Sequence, residues 1–121
     1  MLKFIQSIGL SWSGIRLALR TEPHMRFHLI SAIIVTTVSL LLGLNRLEWI
    51  VLILAMAMVI ALELLNTAIE NVVDLVSPER HPLAKAAKDT AAGAVLAAAI
   101  AAAIIGLLIL GPHLMDVIRR F

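Results

Sequence analysis

Between Asp89 and Asp116 the chain runs for twenty-six residues, Thr90 to Met115, without one Lys, Arg, Asp or Glu. About 20 apolar residues carry a helix across the hydrocarbon core of a bilayer, so this run reads as a membrane span. Two more precede it. Nineteen residues without a charged side chain separate Arg26 from Arg46, and fourteen, Trp49 to Leu62, open a further segment that continues to Asp74. With 61% hydrophobic and 15% charged residues in a chain of 121, too few polar side chains remain to cover so small a body in water. The apolar excess therefore faces lipid.

The same counts remove several classes of function. There is no cysteine, which excludes a disulfide scaffold, a thiolate metal site and thiol catalysis. The basic residues are scattered and aromatics make up only 4%, so no nucleic-acid platform is expected. No Gly-x-x-x-x-Gly-Lys-Ser/Thr loop, Gly-rich dinucleotide turn or Gly-x-Ser-x-Gly elbow occurs. His24, His28 and His81 lack the mutual spacing of zinc ligands.

The expected fold is an all-α membrane protein of one domain, residues 1–121. It comprises a surface helix over about 3–20 and membrane helices over about 26–44, 47–75 and 83–110. In the first, Ile5, Ile8, Trp12, Ile15 and Leu19 recur at three- and four-residue spacing, the pattern of an amphipathic helix lying in the membrane interface. The alternative is a helix packed on the spans. No uninterrupted apolar run near the start suggests a cleavable signal peptide, so an integral protein is expected. Leu44, Asn45 and Arg46 form a tight hairpin turn, Ser77 to Pro82 a more polar connection, and Gly111-Pro112 reads as the stop of the last helix. Seven basic residues, Lys3, Arg16, Arg20, Arg26, Arg80, Lys85 and Lys88, fall on one side of the spans against Arg46, Arg119 and Arg120 on the other. The amino terminus and the second loop are then cytoplasmic. Small residues on the last span, among them Ala91, Ala94 and Ala98, permit close helix approach. Three helices enclose little space, so a homo-oligomer is expected.

Chemistry concentrates in the second span. At about 100° per residue, Glu63, Asn66, Thr67, Glu70 and Asp74 project from one helix face. A charge in hydrocarbon costs about 3 kcal/mol even on permissive scales, so this stripe must face protein, water or an ion. Glu70 and Asp74 could simply lie at headgroup level beside Lys85 or Lys88, and for Asp74 that plain reading suffices. Glu63 follows fourteen uncharged residues and lies about three turns deeper than Asp74, where burial would poise it as a general base. Glu22, before Pro23, sets another carboxylate at the same cytoplasmic level, where two such groups could hold magnesium. Lys88 and Asp89 offer a cation for phosphate and a further oxygen, or else Arg26 and Lys88 merely snorkel to the interface. An enzyme at this carboxylate site, a proton- or cation-coupled transporter with Glu63 as carrier, and a scaffold all remain open.

The run from Glu63 through Asn66 and Glu70 to Asp74, followed by Ala87-Lys88-Asp89 and Ala92-Gly93-Ala94-Val95, resembles the signature of the small prokaryotic diacylglycerol kinase and undecaprenol kinase family. Ser11-Trp12-x-Gly14 with Arg16, and Glu22 with Arg26, match its amino-terminal half. The resemblance covers the chain to about Pro112 and implies a homotrimer in the bacterial cytoplasmic membrane. Its implied activity is phosphorylation of a lipid hydroxyl from magnesium ATP, with the active site facing the cytoplasm. It further implies Glu63 as catalytic base, Glu22 and Glu70 as carboxylates holding the metal on ATP, and Asn66 as a polar neighbour of the base. Nucleotide contacts are implied for Lys3, Glu22, Glu70, Glu79, His81, Lys88 and Asp89. Ser11, Trp12, Arg16 and Trp49 are implied to line the lipid entry. Departures are Lys3 in place of Arg, Leu10 in place of Tyr and His28 in place of Glu. The segments around Thr21 to Leu29 and Pro78 to Lys85 look closer to the undecaprenol kinase branch.

Overall fold

The structure, a computed structural model, describes residues 1–121 and is entirely helical: α1 Leu2–Thr21, α2 Pro23–Leu42, α3 Arg46–Val76 and α4 Pro82–Arg119. At 1.5 Å per residue, α2, α3 and α4 measure about 30, 46 and 57 Å, so each can cross a bilayer core and the last two project beyond it. All three are apolar enough for it.

Each junction has a local cause. Glu22 is extended (φ −111°, ψ 110°), ending α1 and opening α2, and Pro23 takes the first helical position, where its missing N–H costs nothing. The Arg26 guanidinium turns back across this break, Nε and Nη2 donating to the carbonyls of Leu19 and Arg20 at 2.9 Å each, which satisfies the exposed end of α1. Gly43 closes α2 in the left-handed region (φ 72°), a conformation that a side chain would penalise. Asn45 then caps α3: its Oδ1 accepts from the Glu48 backbone N–H at 2.9 Å while its Nδ2 donates to Glu48 Oε1 at 2.7 Å, so the two side chains brace the first turn. His81 caps α4 through Nδ1, which accepts from the Leu83 backbone at 3.1 Å, with Pro82 at the first helical position.

α3 and α4 form the main packed pair, with α2 laid against them and α1 touching α2 and α3. Only 11 of the 121 residues are buried, so most of the apolar surface points outward, as membrane helices require. On α1, Ile5, Ile8 and Trp12 are exposed and only Ala18 is buried.

Gly111-Pro112 does not stop the last helix, as its sequence suggests; α4 continues to Arg119 with Pro112 inside it. Proline removes one helical hydrogen bond, whereas ending the helix there would leave several backbone groups unpaired in an apolar setting. The next residue anchors the continuation, His113 Nε2 lying 2.7 Å from Glu48 Oε2 on α3.

Candidate active site

The polar stripe on α3 grades from buried to exposed. Glu63, Asn66 and Thr67 are 2%, 7% and 5% exposed, Glu70 is half-buried and Asp74 is open. The face expected from helical spacing is thus the face that packs inward. Thr67 Oγ1 donates to the Glu63 carbonyl at 3.0 Å, and Asn66 Nδ2 donates to Glu70 Oε1 at 3.3 Å. Asn66 Oδ1 is buried with no hydrogen-bond partner, an acceptor left free in the middle of the stripe.

Glu22 joins this group from the α1–α2 break. Its carboxyl is held above the ordinary carboxylate range, first by burial, then by the charges of Glu70 and Glu63, with His24 pulling the other way. Three carboxylates from two separate segments therefore share one electrostatic neighbourhood. No group of three or more His, Asp or Glu side chains is arranged to hold a metal by itself.

Beyond the stripe lies a cleft of about 700 Å³ around the α3–α4 loop, lined by Asp74, Ser77, Glu79, Arg80, His81 and Lys88 among others. Of the residues expected at the nucleotide, Glu79, His81, Lys88 and Asp89 line it, and Lys3, Glu22 and Glu70 do not. Lys88 Nζ pairs with Asp74 Oδ1 and Lys85 Nζ with Asp89 Oδ2, both at 2.5 Å. Basic and acidic groups are thus interleaved over the cleft rather than segregated.

A second cavity, about 570 Å³ and mostly apolar, runs between α2, α3 and α4 from Phe27 and His28 to Leu114, its α3 wall ending at Val59, about one helical turn before Glu63. His28 stands at its Glu63 end, Nε2 lying 3.8 Å from Glu63 Oε2. Sequence reasoning marked His28 only as a departure from the family pattern and did not place it at the base. The available signal was its position, an ionisable side chain inside a run otherwise free of charge.

The expected lipid-entry residues are not gathered in one place. Ser11, Trp12 and Arg16 lie exposed on α1, the Ser11 hydroxyl donating to its own helix at the Ser7 carbonyl. Trp49 is half-buried near the start of α3, fourteen residues or about 21 Å along the helix from Glu63. Lys3 sits exposed in the first turn of α1.

The sequence profile of the family described as prokaryotic diacylglycerol kinase matches residues 9–110. An undecaprenol kinase of Bacillus subtilis is 46% identical over 112 residues, covering 93% of this chain and 91% of that protein. A diacylglycerol kinase of Synechocystis is 47% identical over 111 residues, 91% of this chain and 63% of that longer protein. The Escherichia coli K12 diacylglycerol kinase is 33% identical over 111 residues, 92% of this chain and 91% of its own length. The match spans the α1–α2 break, the α3 stripe and the Lys88-Asp89 start of α4 together, and with three helices able to cross a membrane the chain belongs to the prokaryotic diacylglycerol kinase family of multi-pass membrane lipid kinases.

Proposed function

We propose that the chain transfers the γ-phosphate of ATP, with magnesium, to the hydroxyl of a membrane lipid alcohol, undecaprenol or diacylglycerol, at the cytoplasmic interface. Carrying this reading is the position of Glu63: a nearly inaccessible carboxylate on α3, set between Val59, the last residue that helix gives the apolar cavity, and Val73, the first it gives the polar cleft. In this mechanism one Glu63 carboxylate oxygen accepts the lipid hydroxyl proton as the hydroxyl oxygen bonds to the γ-phosphorus and the bond from phosphorus to the ADP oxygen breaks. The apolar cavity seats the chain of the lipid and keeps bulk water from the base.

The donor set fits magnesium. Glu22 and Glu70 are hard oxygen donors at one level, their mutual repulsion already raises the Glu22 carboxyl, and Asn66 Oδ1 is a free acceptor beside them. Glu22 and Glu70 would hold the ion together with phosphate oxygens of the nucleotide. When bound it supplies charge neutralisation at the transferring phosphoryl group. Lys88, next to the stripe through Asp74, adds positive charge at the cleft, and Glu79, His81 and Asp89 border the nucleotide.

The 46% identity to the Bacillus subtilis undecaprenol kinase, against 33% to the equally covered Escherichia coli diacylglycerol kinase, supports undecaprenol as the lipid. Assembly as a homotrimer, with α1 as an amphipathic surface helix, follows the family resemblance and suits a chain whose apolar side chains mostly face outward. Nothing observed favours the transport reading. The test mixes purified protein, labelled ATP, magnesium and each lipid in turn. Label is expected in undecaprenyl phosphate first; label in neither lipid overturns the reading.

A further inference from the structure

His28 is the only ionisable side chain from Phe27 to the end of α2, and it is spent on Glu63. The two side chains are 14% and 3% exposed, with Nε2 and Oε2 3.8 Å apart. That separation is longer than a hydrogen bond and within ion-pair reach. No other ion pair of the chain involves Glu63, and its carboxylate makes no hydrogen bond, Thr67 Oγ1 donating to the main-chain carbonyl instead. The carboxylate is thus buried with His28 as its one ion-pair partner. The same imidazole lines the mouth of the apolar cavity, where Phe27 meets it edge to face with ring centroids 5.5 Å apart.

We infer that His28 is a positioning residue for the reaction proposed above: its imidazole, in the wall of the apolar cavity, fixes the Glu63 carboxylate just beyond that cavity, where the lipid hydroxyl arrives. The inference rests on Glu63 being the base. A buried carboxylate with no partner can rotate away from the hydroxyl, and a misplacement of this kind costs rate without costing substrate affinity. Neutral His28 orients Oε2 by donating towards it.

Other charges near the imidazole are accounted for. Glu22, His24 and Arg26 lie at the same end of α2, Arg26 being turned onto the α1 carbonyls. Glu70 lies further along α3, beyond Glu63. On the α4 wall of the cavity, Ala99 to Leu114, His113 is the only ionisable residue and is engaged by Glu48 at the far end.

The experiment measures kcat and lipid KM for full-length wild type, His28→Ala, His28→Gln and Glu63→Gln. His28→Ala is expected to lower kcat about 10- to 100-fold with KM little changed, as for a mispositioned base. His28→Gln, which keeps a donor, should recover much of that kcat. Two results overturn the inference: an unchanged kcat in His28→Ala, or an equal loss of kcat in both His28 variants. Glu63→Gln separates the two levels. If it is as active as wild type, the base assignment itself fails; if it is inactive while His28→Ala is normal, only the role of His28 fails.

Discussion

The chain contains two histidine–glutamate pairs, one near each end of the three-helix body, and they are built differently. At the far end Glu48 is saturated: Oε2 meets His113 Nε2 at 2.7 Å, Oε1 accepts from Asn45, and its backbone N–H completes the cap. Both side chains are about a quarter exposed. At the other end Glu63 and His28 are buried more deeply, stand 3.8 Å apart and make no hydrogen bond to each other. A satisfied pair ties helices together. A buried carboxylate left short of partners costs stability and is kept where an incoming group completes it.

Breaking each pair in turn should separate these roles, and the largest effect is expected at Glu63. Glu63→Gln keeps the shape but not the proton acceptor, and should lower kcat about 10²- to 10⁴-fold, the usual worth of a general base, with thermal stability equal to or above wild type. Glu48→Ala should do the reverse. Losing the bonds to Asn45 and His113 costs about 1–3 kcal/mol of stability, read as a lower melting temperature in detergent, with turnover near wild type at a permissive temperature. Equal kinetic damage from both substitutions would erase the distinction.

The two pairs also show what a single sequence discloses. The Glu63 to Asp74 stripe is local, its members lying on one face because a helix repeats every 3.6 residues, and the structure buries that face. The break at Glu22-Pro23 is local as well, since proline admits few conformations. The partners of the stripe are not. His28 reaches Glu63 across 35 residues and His113 reaches Glu48 across 65, contacts that only helix packing creates. Pro112 misleads for a related reason: its helix-stopping tendency is a property in water, and an apolar environment penalises the unpaired backbone of a broken helix more. His81, expected only near the nucleotide, turns out to cap α4 as well.

A smaller effect tests the carboxylates around Glu63. Removing Glu70, which accepts from Asn66 and raises the Glu22 carboxyl, should increase the magnesium concentration needed for half-maximal rate about 10- to 100-fold, the size of one contact between charged groups. Glu22 adds a pH signature. Because its carboxyl is raised, it stays protonated to higher pH than an ordinary carboxylate, and a cation must displace that proton. Apparent magnesium affinity should therefore improve as pH rises through the titration of Glu22, and Glu22→Gln should flatten the dependence. A magnesium response that is the same in Glu70→Ala and wild type would remove Glu70 as a ligand.

The smallest effect is expected where the site opens to water. Asp74 and Lys88 form an exposed pair, and such pairs add little to stability because solvent and salt screen them. Asp74→Asn should leave the melting temperature unchanged. Its effect should appear in ATP binding, because the substitution removes a negative charge from the cleft and frees Lys88 for phosphate, lowering the KM for ATP by about twofold at low salt and by less at high salt. A raised KM would mean that Asp74 holds Lys88 in its working position rather than competing for it. The exposed end of the stripe would then resemble its buried end, with a carboxylate placed to aim its partner.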